Sequence, residues 1–457
     1  MLNARLTTFL IGIGKQFVDT HVVDKMINTR KNDMKLNLLT IMLVGSGLFL
    51  TACGGDGNGG GGSVDPNVDI NTIQNPVVST PKPYRPETPT DSPPNAAESV
   101  VMTYKMKGVT GKETQATALV FTPKTAPPAG GWPIVVWSHG AVGVADVCAP
   151  STKPLITSSF LGEDRSTYNL IDNLVKEGYV VVAPDYEGLG EPSGKEIHPF
   201  LHVKSEAYSI TDAVVATKSW LGNKASRKWA VAGISQGGHA ALAAAQYAAR
   251  ANMDYKGAVA MAPANNLVMI ESLSEMALAN MGGRLFAQIA GYLALDGLTA
   301  LISAGMKSVY PNEPVYSKVF NSPFDETAEQ AESLCLVDLG EAFSEVMGGY
   351  LDENGNSLKG YASRKKADYK NDPIVKQFLT KDSQPLQTVV KTPIIIYQGG
   401  ADTVVLPQAT DALVAQARAL TTKIEYRTDP SWTHSSVYTV HVENGQLLED
   451  IKTLLGK

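Results

Sequence analysis

From about Ser99 onward the chain alternates between two hydrophobic patterns. Short apolar runs of strand length end in Gly, Pro or Asp, and longer stretches between them carry apolar positions at helical spacing. Val100 to Lys107 and Ala116 to Phe121 read as two early strands forming a hairpin. Pro133 to Trp137 is a buried strand ending at Ser138-His139-Gly140-Ala141, and Tyr168 to Lys176 is a helix. Tyr179 to Ala183 is the next buried strand, running into Pro184-Asp185-Tyr186-Glu187-Gly188, and Ser205 to Leu221 is helical. Trp229 to Gly233 is a strand that leads into Ser235, Gly237 to Arg250 an Ala-rich helix, and Gly257 to Met261 another strand. Near the end, Pro393 to Tyr397 and Ile424 to Arg427 are strands, while Pro407 to Leu420 and Leu447 to Leu455 are helices.

Apolar strands alternating with helices predict an α/β fold with a mostly parallel central sheet covered by helices on both faces. Ligands of such sheets bind beyond the C-terminal ends of the strands. Ala141, Tyr186, Ser235 and Asp402 each follow a strand, and His434 lies in the loop after the last one. The alternation stops between about Asn265 and Thr388. Residues 265–388 contain no convincing buried strand, and Leu267 to Met306 is rich in Ala, Leu, Met and Gly with few charges. This segment is expected to be a helical cap inserted above the strand ends. Residues 99–264 and 389–457 then form the catalytic domain. Its apolar helices suit either a lipid-contacting lid or plain packing on the core.

The region ahead of Ser99 is different. Met34-Lys35 followed by an apolar stretch from Leu36 to Leu50 and by Leu50-Thr51-Ala52-Cys53 makes residues 34–52 a secretory signal. The apolar stretch is shorter than the roughly 20 residues that a spanning helix needs. Leu50-Thr51-Ala52-Cys53 resembles a bacterial lipobox, which implies lipidation of Cys53 and cleavage just before it. Cleavage by the ordinary signal peptidase is the alternative. Residues 1–33 read as an upstream extension from a start codon placed too early. Residues 53–98 are Gly-rich and then Pro-rich, a tether that cannot bury a core. The expected location is outside the cytoplasm, held to the cell envelope by a lipid, and Gly54 after Cys53 fits an outer-membrane destination.

Composition changes this picture little. The 457 residues are 44% hydrophobic and 18% charged, which suits a large globular domain with an insertion. The net charge is −6 and the short cluster Arg364-Lys365-Lys366 reads as a solvated helix face, so nucleic acid is not an expected partner. Asp352-Glu353-Asn354-Gly355-Asn356 loosely resembles a calcium loop, but its Gly is misplaced and Ser363 stands at the closing position, so no metal is expected. Of the three cysteines, Cys53 belongs to the lipobox. Cys148 and Cys335 form an even pair, expected as a disulfide in an oxidising compartment. Two partly buried thiols are the other reading.

The chemistry follows from the strand ends. A serine hydroxyl is a weak nucleophile and needs a base, a group that orients the base, and donors for the oxyanion. Gly233-Ile234-Ser235-Gln236-Gly237 matches the G-x-S-x-G nucleophile elbow, where the tight strand-to-helix turn needs small residues two before and two after the serine. This assigns the α/β-hydrolase fold and makes Ser235 the candidate nucleophile. The oxyanion donors would be the N–H of Gln236 and the N–H of Ala141, each typically worth about 3–4 kcal/mol. The order serine, acid, histidine leaves Asp402 as acid and His434 as base. Asp429 is nearer to His434 in sequence but does not sit in such a strand-end turn. His139 and His441 read as structural.

These residues resemble the secretory lipase family of α/β-hydrolases, the group that includes lipase A of a Candida yeast. The resemblance covers roughly residues 100–457. It rests on His139-Gly140, Cys148-Ala149-Pro150-Ser151, Pro184-Asp185-Tyr186-Glu187-Gly188, Gly233 to Gly238, Gly400-Ala401-Asp402 and His434. It implies hydrolysis of a small-molecule or lipid carboxylic ester with no cofactor, and does not separate lipase from esterase. Two other functions compete. A serine peptidase could use the same triad, but such enzymes often carry a separate propeller domain for which this length leaves no room. A non-catalytic lipoprotein could bind an apolar ligand under the cap, but that reading leaves the complete Ser, acid and His set without a purpose.

Overall fold

The computed structural model describes residues 69–84, 92–155, 158–159, 162–163, 165–190, 196–282 and 284–456. The signal segment and Cys53 lie outside them. One sheet contains β1 (Lys82–Pro83), β2 (Ala96–Lys107), β3 (Glu113–Pro123), β4 (Trp132–Ser138), β5 (Val180–Pro184), β6 (Ala225–Ile234), β7 (Asp254–Met261), β8 (Ile394–Gly399) and β9 (Ile424–Asp429). Their spatial order is β1-β2-β3-β5-β4-β6-β7-β8-β9. From β5 to β9 every pairing is parallel, and β1 to β3 form an antiparallel edge.

The continuous apolar runs are explained by burial on both faces of this sheet. Ile134 and Val136 of β4 pack on one side, while Val135 and Trp137 pack on the other. The first side is covered by α1 (Val203–Leu221) and α2 (Gln236–Tyr247), with a later helix, Pro407–Ala419, adding Leu413 and Val414. The second side is covered by Ser166–Lys176, Ser436–Glu443 and Gln446–Leu455, through Leu170, Leu174, Val437, Leu447 and Ile451. Ala240, Ala241, Ala243 and Ala244 of α2 are all fully buried. Small side chains allow that helix to approach closely. A Cβ added to Gly238 would come within 2.8 Å of the Met261 carbonyl oxygen.

Residues 265–388 hold helices and, among the described residues, no named strand. The long ones are α3 (Leu267–Ala279), α4 (Leu285–Val309) and α5 (Leu336–Glu353). α4 is long and apolar enough to cross a bilayer, yet half of its most apolar window is buried in the protein. Asp296 at its middle is fully buried and ion-pairs with Arg364, and the Tyr361 hydroxyl donates to it at 3.0 Å. The segment reaches the loops at the C-terminal ends of the strands. Leu336 N–H donates to the Val142 carbonyl at 2.9 Å, and a disulfide joins Cys148 to Cys335. Gly143 makes room for that bridge, since a Cβ there would lie 2.7 Å from the Cys148 sulfur.

Two expectations need correction. Residues 69–84 and 92–98 fall within the expected tether of residues 53–98, but they are structured against the domain. The Asp69 carboxylate binds Lys107 Nζ at 2.7 Å and the Tyr208 hydroxyl at 2.8 Å, and Asn71 Nδ2 donates to Asp212 at 2.7 Å. Asp212 is already paired with buried Arg250, so these polar residues complete a buried charge cluster. β2 also begins earlier than expected, at Ala96. Second, Arg364 and Lys365 are not a solvated helix face: both are buried, ion-paired with Asp296, Glu271 and Glu275. His441 lies on a helix, Ser436–Glu443. Val437, Thr439, Val440 and Val442 are β-branched and weak helix formers. Packing of Val437, Tyr438 and Val442 against the sheet overrides propensity.

Candidate active site

β6 runs straight into Ser235, and α2 starts at the next residue. Ser235 has φ +57° and ψ −117°, a left-handed backbone that a side-chain-bearing residue adopts only under constraint. The constraint is visible on both sides. Ser235 N–H donates to the Met261 carbonyl at 2.9 Å, and its own carbonyl accepts from His239 N–H and Ala264 N–H at 3.0 and 3.1 Å. Gly233 and Gly237 are required by space. A Cβ at Gly233 would lie 2.3 Å from the Gly237 carbonyl oxygen, and one at Gly237 would lie 1.9 Å from the Ser138 carbonyl oxygen. The nucleophile candidate therefore stands on a turn that the sequence could form only with those glycines.

Gln236 is the first residue of α2, so its N–H is one of the donors that a helix start leaves without an intrahelical partner. The loop after β4 lies beside the elbow, with Gly140 close enough that an added Cβ would be 3.8 Å from Ser235 Cβ. Ala141 follows in the same half-buried loop. Tyr186 fixes this loop by donating its hydroxyl to the His139 carbonyl at 2.9 Å, and it stacks against the His139 and His198 rings. His139 makes ring contacts to the Gly140 and Asp185 carbonyls, and burial lowers its pKa.

Asp402 and His434 are brought together. His434 Nδ1 donates to Asp402 Oδ2 at 2.8 Å, and the two residues are 6% and 3% exposed. Asp402 Oδ1 accepts from the backbone N–H groups of Val404 and Val405 at 2.8 and 2.9 Å. With Nδ1 donating to the carboxylate, His434 Nε2 is left as an acceptor, the state a general base requires. The acid turn and the histidine loop clasp each other through backbone. Ala401 N–H donates to the Trp432 carbonyl at 3.0 Å, and Gly400 N–H donates to the Asp429 carbonyl at 2.8 Å. A Cβ on Gly399 would sit 2.1 Å from the Trp432 carbonyl oxygen. Asp429 itself accepts from Ser431 N–H and Oγ, capping its own turn. His441 Nδ1 donates to the Val437 carbonyl at 2.7 Å, with its ring against Tyr397 and Trp432.

The sheet aligns these loops. Register pairs Ile234 with Met261, Met261 with Tyr397, and Gly399 with Asp429. Ser235, the Asp402 turn and the His434 loop thus leave three parallel strands of one sheet, β6, β8 and β9, at the same edge. Asp185 and Glu187 at the end of β5 have a different use. Asp185 binds Ser151 N–H and the Thr117 hydroxyl, and Glu187 binds Val109 N–H. Burial pushes their pKa values up, to about 6 for Asp185 and about 7 for Glu187.

Several polar residues around the site carry no sequence motif. Gln398 Nε2 reaches Asp402 Oδ2 at 3.3 Å and the Val405 carbonyl at 2.9 Å, and its own carbonyl accepts from the Thr410 hydroxyl at 2.7 Å. Its signal was a lone amide ending the apolar run Ile394-Ile395-Ile396-Tyr397. Glu206, His198 and His239 form a second buried cluster beneath Gln236. Among the described residues, no group of three or more His, Cys, Asp or Glu side chains is arranged to hold a metal ion.

A family model described as secretory lipase matches residues 164–446. No curated protein matches. Among solved structures, Candida antarctica lipase A in its closed state is similar, with a TM-score of 0.61 and 19% identity, over 86% of this chain and 86% of that one. The rice cell wall degrading esterase LipA from Xanthomonas oryzae gives a TM-score of 0.56 at 20% identity, over 78% of this chain and 90% of that one. A Legionella pneumophila protein described as a putative hydrolase gives 0.56 at 17% identity, over 78% and 89%. The shared architecture is the α/β-hydrolase fold.

Proposed function

The chain belongs to the secretory lipase family and is a carboxylic ester hydrolase, and we propose that it works through an acyl-enzyme on Ser235. The observation that carries this reading is the pairing of a nucleophile elbow at Ser235 with the His434–Asp402 hydrogen bond. In the first half-reaction His434 Nε2 takes the Ser235 proton as Oγ bonds to the ester carbonyl carbon. The carbonyl π pair moves onto oxygen, where the Gln236 and Ala141 N–H groups receive it. Collapse expels the alcohol, which takes its proton from His434. Water activated by His434 then repeats the sequence and releases the acid. Asp402 holds the imidazole tautomer and stabilises the imidazolium without itself taking the proton.

p-Nitrophenyl esters of increasing acyl length, beside a p-nitroanilide, test the substrate class. The expected result is turnover of the esters and none of the anilide. Rates falling beyond short acyl chains define an esterase, and rates sustained on long chains define a lipase. Anilide turnover matching ester turnover would replace this reading with a peptidase.

As a member of a secretory family the protein is exported, which agrees with its Cys148–Cys335 disulfide. We further propose that Cys53 carries the lipid that retains it at the envelope, on the strength of Leu50-Thr51-Ala52-Cys53. Cys53→Ser should move the protein from the membrane fraction to the soluble exported fraction or leave it unprocessed. An unchanged, processed membrane fraction would refute lipidation.

A further inference from the structure

Directly beneath the elbow lies a polar cluster that hydrolysis by Ser235, His434 and Asp402 does not use. Glu206 on α1 is fully buried. Its Oε1 accepts from Leu201 N–H at 3.2 Å and from Gln236 Nε2 at 2.9 Å. Its Oε2 lies 2.5 Å from His239 Nδ1. His239, also fully buried, contacts the Ser383 carbonyl through Nε2 at 3.0 Å. A carbonyl only accepts, so Nε2 carries a hydrogen. Oε1 thus takes two donors, and Oε2 shares one hydrogen with His239 Nδ1.

The other side of the Gln236 amide is equally fixed. His198 Nδ1 donates to the Glu187 carbonyl at 2.8 Å, which leaves its Nε2 to accept from Gln236 Nε2 at 2.8 Å. Burial pushes the His198 pKa down to about 4, keeping the ring neutral and able to accept. Both hydrogens of the Gln236 amide are thereby committed. A buried Glu–His pair is a poor source of net stability, because desolvation offsets much of its attraction. Its position is informative. It clamps the side chain of the residue whose backbone N–H is the assigned oxyanion donor, and its far end grips Ser383, near the close of the 265–388 insertion.

We propose that Glu206 and His239 are positioning residues for the oxyanion hole. They hold the Gln236 side chain and the first turn of α2 so that the Gln236 N–H meets the developing oxyanion, and His239 ties that donor to the insertion through Ser383. The proposal rests on Ser235 as nucleophile and Gln236 as donor. It differs from a purely structural role, which would lower stability and leave transition-state binding in the folded protein intact.

The test compares wild type, Glu206→Ala, Glu206→Gln, Gln236→Ala and Ser235→Ala, each checked for folding by circular dichroism. The readouts are kcat and KM on a short-chain p-nitrophenyl ester and the Ki of an alkyl trifluoromethyl ketone. That ketone adds to Ser235 Oγ and leaves a hemiketal oxygen in the hole. Losing one oxyanion donor typically costs about 10²–10³ in kcat. Glu206→Ala is expected to lower kcat by about 10²-fold through misplacement of that donor, with KM within about threefold and Ki rising in parallel with the loss in kcat/KM. Glu206→Gln keeps the acceptor for Gln236 and should recover most of the rate. If Glu206→Ala does not fold, Gln236→Ala carries the test, with about tenfold loss and the same parallel rise in Ki. Ser235→Ala turning over at the wild-type rate would overturn the nucleophile assignment and this proposal with it. Ser235-dependent turnover with a folded Glu206→Ala or Gln236→Ala of unchanged kcat, or a rate loss without a matching Ki change, would overturn the positioning role alone.

Discussion

Ser235→Ala should lower kcat on a short-chain p-nitrophenyl ester by about 10⁶-fold, the scale of removing the nucleophile from a serine hydrolase. The variant should fold. Alanine at this half-buried position removes only the hydroxyl and changes no core packing, and the left-handed backbone of the elbow is held by neighbours and not by the hydroxyl. Three backbone hydrogen bonds involving Ser235 N–H and its carbonyl remain after the substitution. KM should change little, because the loss falls on a bond made during reaction. Residual turnover of about 10³–10⁴ over water is expected from the oxyanion hole and binding alone. Equal rates for wild type and variant would mean that the hydrolysis takes place elsewhere in the chain.

Asp402→Asn should cost about 10⁴-fold in kcat while leaving the fold intact. The local hydrogen bonds decide the outcome. Oδ1 accepts from Val404 and Val405 N–H, so an asparagine must place its carbonyl oxygen there. Its NH₂ then faces His434 Nδ1, which today donates to Oδ2. The imidazole is forced to accept at Nδ1 and to carry its proton on Nε2, the tautomer that cannot take a proton from serine. Asp429→Asn is the control. Its carboxylate is engaged with Ser431, so its rate should stay within about threefold of wild type, as for a surface turn residue. A large loss in Asp429→Asn with a small one in Asp402→Asn would reverse the acid assignment.

Much of the architecture was legible because β4, β5, β6 and β8 are short apolar runs that stop at Gly, Pro or Asp. Burial on both faces leaves no other solution for such runs. Ser235 was legible because its elbow permits only glycine two residues away on either side, a steric demand written directly in the sequence. Asp402 and His434 were legible from chain order and strand-end turns, and they are hydrogen-bonded across 32 residues. Glu206 and His239 were not. A glutamate in a helix reads as solvent-facing, and only the packing of α1 on α2 shows that it is sealed. Asp69 and Asn71 were hidden for a similar reason. They look like linker until Arg250 and Asp212, far along the chain, are seen to need partners.

The chemistry is also separable from substrate choice. Ser235, Asp402 and His434 sit on turns fixed by the sheet, whereas residues 265–388 supply helices joined to the loop after β4 by Cys148–Cys335 and by Leu336 to Val142, and to α2 by Ser383 to His239. Acyl-chain preference is therefore expected to change with substitutions in the insertion, and the triad to stay untouched by them.

The central claim is a covalent acyl-enzyme on Ser235, and the most direct measurement traps it. The protein is treated with a p-nitrophenyl alkylphosphonate, which phosphonylates an activated serine and releases p-nitrophenol. Intact mass and peptide sequencing then locate the adduct. The account predicts one adduct per chain on the peptide containing Ser235, formed far more slowly in Asp402→Asn. An adduct on another residue, or none in a preparation that hydrolyses esters, would contradict it.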